Sequence, residues 1–246
     1  MKITRRRAMQ QTTLGSLGAA LSGCAPVSAA GSSPPSSSEV ATVASSYVAE
    51  PLPFDPSTLP GLSEGLLRSH HDKNYAGAVK KLNGAREHLA ALDEQAPGYV
   101  LQGLTQSELA FKHSVVLHEL YFSNLTGGGS KGSATTRLLS EHFGGAAAWE
   151  QRFRALGGSL GGGSGWAIIE YDLHEGVPRM YSAADHTQGM STGIPLLVLD
   201  MYEHSYHMDY GTAAARYIDA FFANLHWEEL DRRTATALAM AECSAR

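Results

Sequence analysis

A carboxylate and an imidazole stand four residues apart in Asp200-Met201-Tyr202-Glu203-His204, directly after the apolar run Ile194-Pro195-Leu196-Leu197-Val198-Leu199. At the end of a buried strand, such a pair can converge on one metal ion if two more ligands arrive from elsewhere in the chain. Eleven histidines are available. His88, His142, His174 and His226 lie in polar contexts and need no special role. His70 and His71, and again His113 and His118, instead interrupt apolar helical patterns. One histidine from each of those two pairs, with Asp200 and His204, gives three imidazoles and one carboxylate with room for solvent. That set suits a redox-capable first-row ion such as iron or manganese, since an anionic oxygen helps neutralise a trivalent state. Zinc accepts the same ligand types.

The elements that must position these residues can be read from periodicity. Residues 62–92 carry apolar side chains at helical spacing, open with Ser63-Glu64, and have only Gly65, Gly77 and Gly84 as weak points, which predicts one long helix. Thr105-Gln106-Ser107-Glu108 has the form of a capping box and predicts a second helix from there to residue 125, before a glycine-rich loop. Two short helices come next, over 134–143 and 146–156. The pattern then changes to β-branched or alternating segments at 166–173, 177–184 and 195–200. Helices at 213–223 and 228–241 close the chain. The expected fold is α+β: an N-terminal antiparallel helical hairpin over 51–130, then an α/β domain over 131–246 with a three-stranded antiparallel sheet.

The chain has 246 residues, a net charge of −5 and 43% hydrophobic residues, which suits one sizeable core. No basic patch with interleaved aromatics supports nucleic acid as a partner. Residues 1–23 show a basic start, a short apolar middle and small residues at the end, the pattern of an export signal. Thr4-Arg5-Arg6-Arg7-Ala8-Met9-Gln10 resembles the twin-arginine type, and Leu21-Ser22-Gly23-Cys24 resembles a bacterial lipobox whose cysteine is lipidated. Residues 24–50, rich in Ser, Pro and Ala, read as a disordered tether. The expected location is outside the cytoplasm, periplasmic or in the cell envelope, with a lipid anchor on Cys24 holding the protein to a membrane.

From residue 52 to about 230 the sequence resembles the iron/manganese superoxide dismutases. Leu66-Leu67-Arg68-Ser69-His70-His71-Asp72-Lys73 followed by Val79-Lys80-Lys81-Leu82-Asn83 resembles the first ligand helix, and Leu117-His118-Glu119-Leu120-Tyr121-Phe122 the second. Gly163-Ser164-Gly165-Trp166 is similar to the segment leading into the family's sheet, and Asp200 to Tyr206 to the segment with the last two ligands. Tyr217, Phe221, Asn224 and Trp227-Glu228 match the final helices. The resemblance implies His70, His118, Asp200 and His204 as ligands of one iron or manganese ion per subunit, superoxide as substrate, and a homodimer in which Glu203 reaches a ligand histidine of the partner. The implied reaction converts superoxide to oxygen and hydrogen peroxide.

Around those ligands the sequence departs from the family. The gateway tyrosine falls on Ala78, the histidine before it on Asn74, and the tyrosine supplied by the neighbouring subunit on His207. Tyr202 and Ile168 replace tryptophans, while Trp166 is kept. The glutamine that faces metal-bound solvent has two possible positions. On the helix, it falls on Ser114, which is too short. On the sheet, counting forward from Ser182 gives His186 and counting backward from Asp200 gives Ala184; strand-end register favours His186. Proton delivery would then run through His186, Asn74, His207 and water. The rivals are a metal-binding lipoprotein of this fold with weak or no dismutase activity, and peroxidase-like iron chemistry, since Ala78 widens the approach to the metal.

Overall fold

A computed structural model describes residues 46–126, 131, 133–189 and 191–244. The export signal, Cys24 and most of the tether lie outside the described residues.

The first predicted helix is three pieces. Helix α1 (Glu64–Ser69) starts where the Ser63 hydroxyl accepts from the Leu66 N–H at 3.1 Å. A π-helical turn covers His70–Tyr75, and α2 (Ala76–Ala90) completes the element. A π turn adds a residue without breaking the backbone bonding, and it rotates the helix beyond it about the axis. Here it lets His70 and Tyr75 both turn inward, each 1% exposed.

Helix α3 (Gly98–Ser123) begins well before the predicted capping box, directly after Pro97, whose missing N–H suits a helix boundary. The Thr105 hydroxyl caps nothing; it donates back to the carbonyls of Leu101 and Gln102 at 3.0 Å each, inside the helix. Ordered contacts also begin earlier than residue 52. Tyr47 exchanges two 2.8 Å hydrogen bonds with the Asn83 side chain, and Glu50 is held by Tyr75 and His71. Those polar partners order the last residues of the predicted tether.

Helices α4 (Ser133–Phe143) and α5 (Ala146–Ser159) lead to strands β1 (Trp166–Asp172), β2 (Val177–Ala183) and β3 (Gly193–Asp200). The sheet is antiparallel in the order β2-β1-β3. Trp166 pairs with Ala183 on one side and Asp200 on the other, so the three share a face at the same end of the sheet. The β1–β3 ladder runs regularly from that end to Ile169 and carries a register shift between Ile169 and Glu170. Gly165 is required just before it: its φ is 141°, and a Cβ would stand 2.5 Å from the Ala183 carbonyl oxygen. After β3 come a 3₁₀ turn (Glu203–Ser205), α6 (His207–Tyr210), α7 (Ala214–Ala223) and α8 (Trp227–Ser244). No helix among the described residues is long and apolar enough to cross a membrane.

Arg233 of α8 locks the two halves together. Only 4% exposed, it donates to Asn124 Oδ1 (2.8 Å), Ser123 Oγ (2.5 Å) and the carbonyls of Leu120 (3.2 Å) and Leu196 (3.3 Å), and it pairs with Glu229 at 2.9 Å. Removing one member of such a network strands the others without water. Arg233→Met is therefore expected to lower unfolding stability by about 3 kcal/mol, read as a lower urea midpoint.

Candidate metal centre

Four elements deliver one side chain each to a buried point. His70 comes from the π turn, His118 from α3, Asp200 from the last residue of β3, and His204 from the 3₁₀ turn. One ligand atom from each lies within 4.8 Å of all the others. The Nε2 atoms of His70, His204 and His118 stand 3.1, 3.2 and 3.7 Å from Asp200 Oδ2. His70, His118 and Asp200 are at most 2% exposed.

The backing interactions aim these atoms. The His118 Nδ1–H donates to the Ser114 carbonyl at 2.6 Å, which leaves Nε2 with its lone pair facing inward and with no hydrogen-bond partner among the described residues. Ser114 thus acts through its backbone, four residues back on the same helix. Asp200 Oδ1 accepts from the Tyr202 N–H at 2.8 Å, so Oδ2 is the oxygen presented to the histidines. The Asp200 carbonyl accepts from Tyr217 (2.8 Å) and Ser205 (2.9 Å), fixing the end of the strand. His70 packs on Tyr121 and Phe122, with ring centres 5.1 and 4.9 Å away.

Burial and charge together set the protonation states. Burial, then the neighbouring His70, push His118 down to about 3, and burial lowers His70 as well. Both are neutral ligands at ordinary pH. Burial alone would raise Asp200, but the hydrogen bonds from His204 and His70 outweigh it and hold the carboxyl well below the usual range. Three imidazole nitrogens and an anion gathered at one point, with His118 Nε2 lacking a hydrogen-bond partner among the described residues, fit a single divalent or trivalent ion.

Of the residues predicted around the ligands, three line one side. The Trp166 indole N–H donates to His186 Nδ1 at 3.0 Å. The His186 ring stacks on Tyr202 (5.0 Å), which stacks on His204 (5.4 Å), and it lies 6.4 Å from His118. Because indole is only a donor, His186 Nδ1 is the acceptor and Nε2 carries the proton. Burial, then Asp200, push the Tyr202 phenol up to about 12. Ala184 is exposed and turned into a loop contact with Gln188.

Asn74 and His207 are not brought to the ligands within this chain. Asn74 is half-buried on the π turn, while the His207 side chain is 53% exposed with Nδ1 3.9 Å from Glu203 Oε1. Glu203 is itself exposed. Ala78 is buried, and Tyr75, the nearest phenol on that stretch, commits its hydroxyl elsewhere: it donates to Glu119 Oε1 at 2.9 Å and accepts from the Glu50 N–H at 2.8 Å.

Tyr75, which the sequence places on a helix face close to that of Ala78 but set back along the axis, binds Glu119, a partner that sequence did not suggest. They tie the residue after His118 to the π turn and to the chain entering the hairpin, and Tyr47 adds two 3.2 Å contacts to the same carboxylate. The signal was the pairing of a tyrosine five residues past one ligand with an acid one residue past the other. Tyr75→Phe is expected to speed ion release to a chelator by up to about tenfold with the fold retained; unchanged release would show that this brace does not reach the ligands.

Residues 131–233 match the family profile described as iron/manganese superoxide dismutases, C-terminal domain. The chain is 46% identical over 193 residues to superoxide dismutase [Fe] of Cupriavidus metallidurans, covering 78% of this chain and 98% of that protein. It is 34% identical over 201 residues to superoxide dismutase [Mn] 2 of Haloferax volcanii, covering 80% and 100%. To superoxide dismutase [Fe] of Aquifex pyrophilus it is 33% identical over 192 residues, covering 74% and 89%. With the ligand geometry and the helical-hairpin-plus-sheet architecture, these similarities establish that the chain belongs to the iron/manganese superoxide dismutase family.

Proposed function

We propose that the protein is an exported, lipid-anchored superoxide dismutase, using one iron or manganese ion per subunit, in which His186 stands where relatives place a glutamine. The observation that carries the activity is the convergence of three imidazole nitrogens on Asp200 Oδ2 in a chain that covers nearly the full length of relatives named for this reaction. Those names include both metals, which supports either ion here.

His70, His118, Asp200 and His204 would hold an iron or manganese ion, which would supply one-electron exchange with superoxide. The residues do the rest. Asp200 contributes the negative charge that favours the trivalent state, and His118 is held in one tautomer by Ser114. Two superoxide ions and two protons yield oxygen and hydrogen peroxide, so protons must reach the site. His186 Nε2–H is the donor offered there, with Trp166 fixing the tautomer and Tyr202 the ring plane. Asn74 and His207 would complete the path to solvent, with water and a second protomer filling the space left by Ala78. Glu203 would bridge to a ligand histidine of that protomer.

Purified full-length protein loaded with iron or with manganese is expected to consume superoxide at catalytic rates and to show little peroxidase turnover. A loaded protein that turns over peroxide but not superoxide would overturn the reading. For the proton path, Ala78→Tyr is expected to change the pH profile of turnover, and an unchanged profile would count against rerouting through His186. Cys24→Ala should move the protein from the membrane fraction to the soluble one; if it stays membrane-bound, the anchor is elsewhere.

A further inference from the structure

Glu170 lies in the middle of β1, 2% exposed, and the described residues give it no cation. Its partner across β2 is Arg179, which turns away to Glu175 and to Asp172 Oδ2, 3.8 Å from its Nε. Burial pushes the Glu170 carboxyl up toward its neutral form, and a cation beside it would hold it ionised. The side chain is also fixed. Oε2 accepts from the Tyr181 hydroxyl at 2.8 Å, and the carboxyl rests on the bare backbone of Gly193, where any Cβ would overlap it. Oε1 meets no donor among the described residues.

That carboxyl lines a cleft of about 170 Å³ between α3 and the sheet, whose walls include His113, Val116, Leu117, Ile168 and Tyr181. His113 is the second polar group of interest. Its Nδ1–H donates to the His186 carbonyl at 2.8 Å, so Nε2 retains its lone pair. The same backing arrangement orients His118 at the metal centre.

We propose that this cleft is a second cation site, anchored by Glu170 and completed by His113 and water, for a divalent transition-metal ion. A carboxylate oxygen with an imidazole nitrogen is a donor pair for zinc or cobalt, and the Tyr181 hydroxyl orients the carboxylate from outside the coordination sphere. The site is separate from the four-ligand centre and uses none of its residues. An ion there would neutralise Glu170 and would be linked to the centre through α3, which carries both His113 and His118, and through the His113 bond to the His186 backbone.

The test uses full-length protein already carrying its one ion, titrated with Co²⁺ and followed by calorimetry and by visible absorption. A second equivalent is expected in the wild type, with affinity at least about tenfold weaker in both Glu170→Gln and His113→Gln and the first ion retained. Gly193→Ala, which displaces the carboxyl but keeps both donors, should weaken it too. Absence of a second equivalent would mean a protonated carboxyl with water in the cleft and would overturn the proposal. A second equivalent that survives both substitutions would place the ion elsewhere and overturn it equally.

Discussion

Asp200→Asn is expected to abolish ion retention while leaving the fold intact. The amide matches the carboxylate in shape and can still accept the Tyr202 N–H through its oxygen. It then presents an NH₂ group, not an anion, to the three Nε2 atoms that now stand 3.1 to 3.7 Å from Oδ2. Three neutral imidazoles give a trivalent ion no charge compensation, and the amide nitrogen is no ligand. Metal content after gel filtration should fall from about one ion per chain to less than about a tenth, with dismutase activity falling in proportion. Elemental analysis beside circular dichroism separates the two effects. Full metal content in the variant would show that Asp200 is not a ligand.

Removing the ion should cost nearly as much in stability as it does in activity. The centre would clamp the π turn, α3, the end of β3 and the turn after it, adding to the Tyr75–Glu119 and Ser205–Asp200 hydrogen bonds. An ion bound at a thousand times its Kd stabilises the folded chain by about 4 kcal/mol. For a domain of this size that corresponds to a fall in Tm of about 8–16 °C on chelation. Calorimetry with and without chelator checks this, and readdition of either metal should restore the higher transition. The metal-free protein should stay folded, because His70 and His204 can donate to Asp200 in place of the ion. Coincident melts would show that the ligand atoms are held by packing alone.

The sequence disclosed most of this arrangement where local chemistry and tertiary role coincide. Asp200 and His204 were legible because an apolar strand ends at a carboxylate, and the structure makes Asp200 the last residue of β3. The strands were legible from alternation and turn residues, and their order reflects the hairpin β1–β2 with β3 returning on the far side of β1. Family resemblance, not spacing, chose His70 over His71 and His118 over His113. Two features stayed hidden. The π turn has the same apolar spacing as an α-helix within a residue, so periodicity merges it with its flanks. The capping box at Thr105 satisfied the local pattern, but Pro97 and packing along α2 started the helix earlier, and the hydroxyl found carbonyls in place of an orphan N–H. The site-facing contacts of Trp166 and His186 depend on the β1–β2 register, which links residues 20 apart.

The spread of the ligands along the chain also sets a clock. His70 and His204 are separated by 134 residues, since 204 − 70 = 134. At about 5–20 residues synthesised per second, the first histidine waits roughly 7–27 s for the last. During that interval His70 and His118 have no carboxylate to complete a cage, and any ion they meet is held by at most two nitrogens. The full set of four ligands therefore exists only once β3 has docked beside β1, with most of the chain already made.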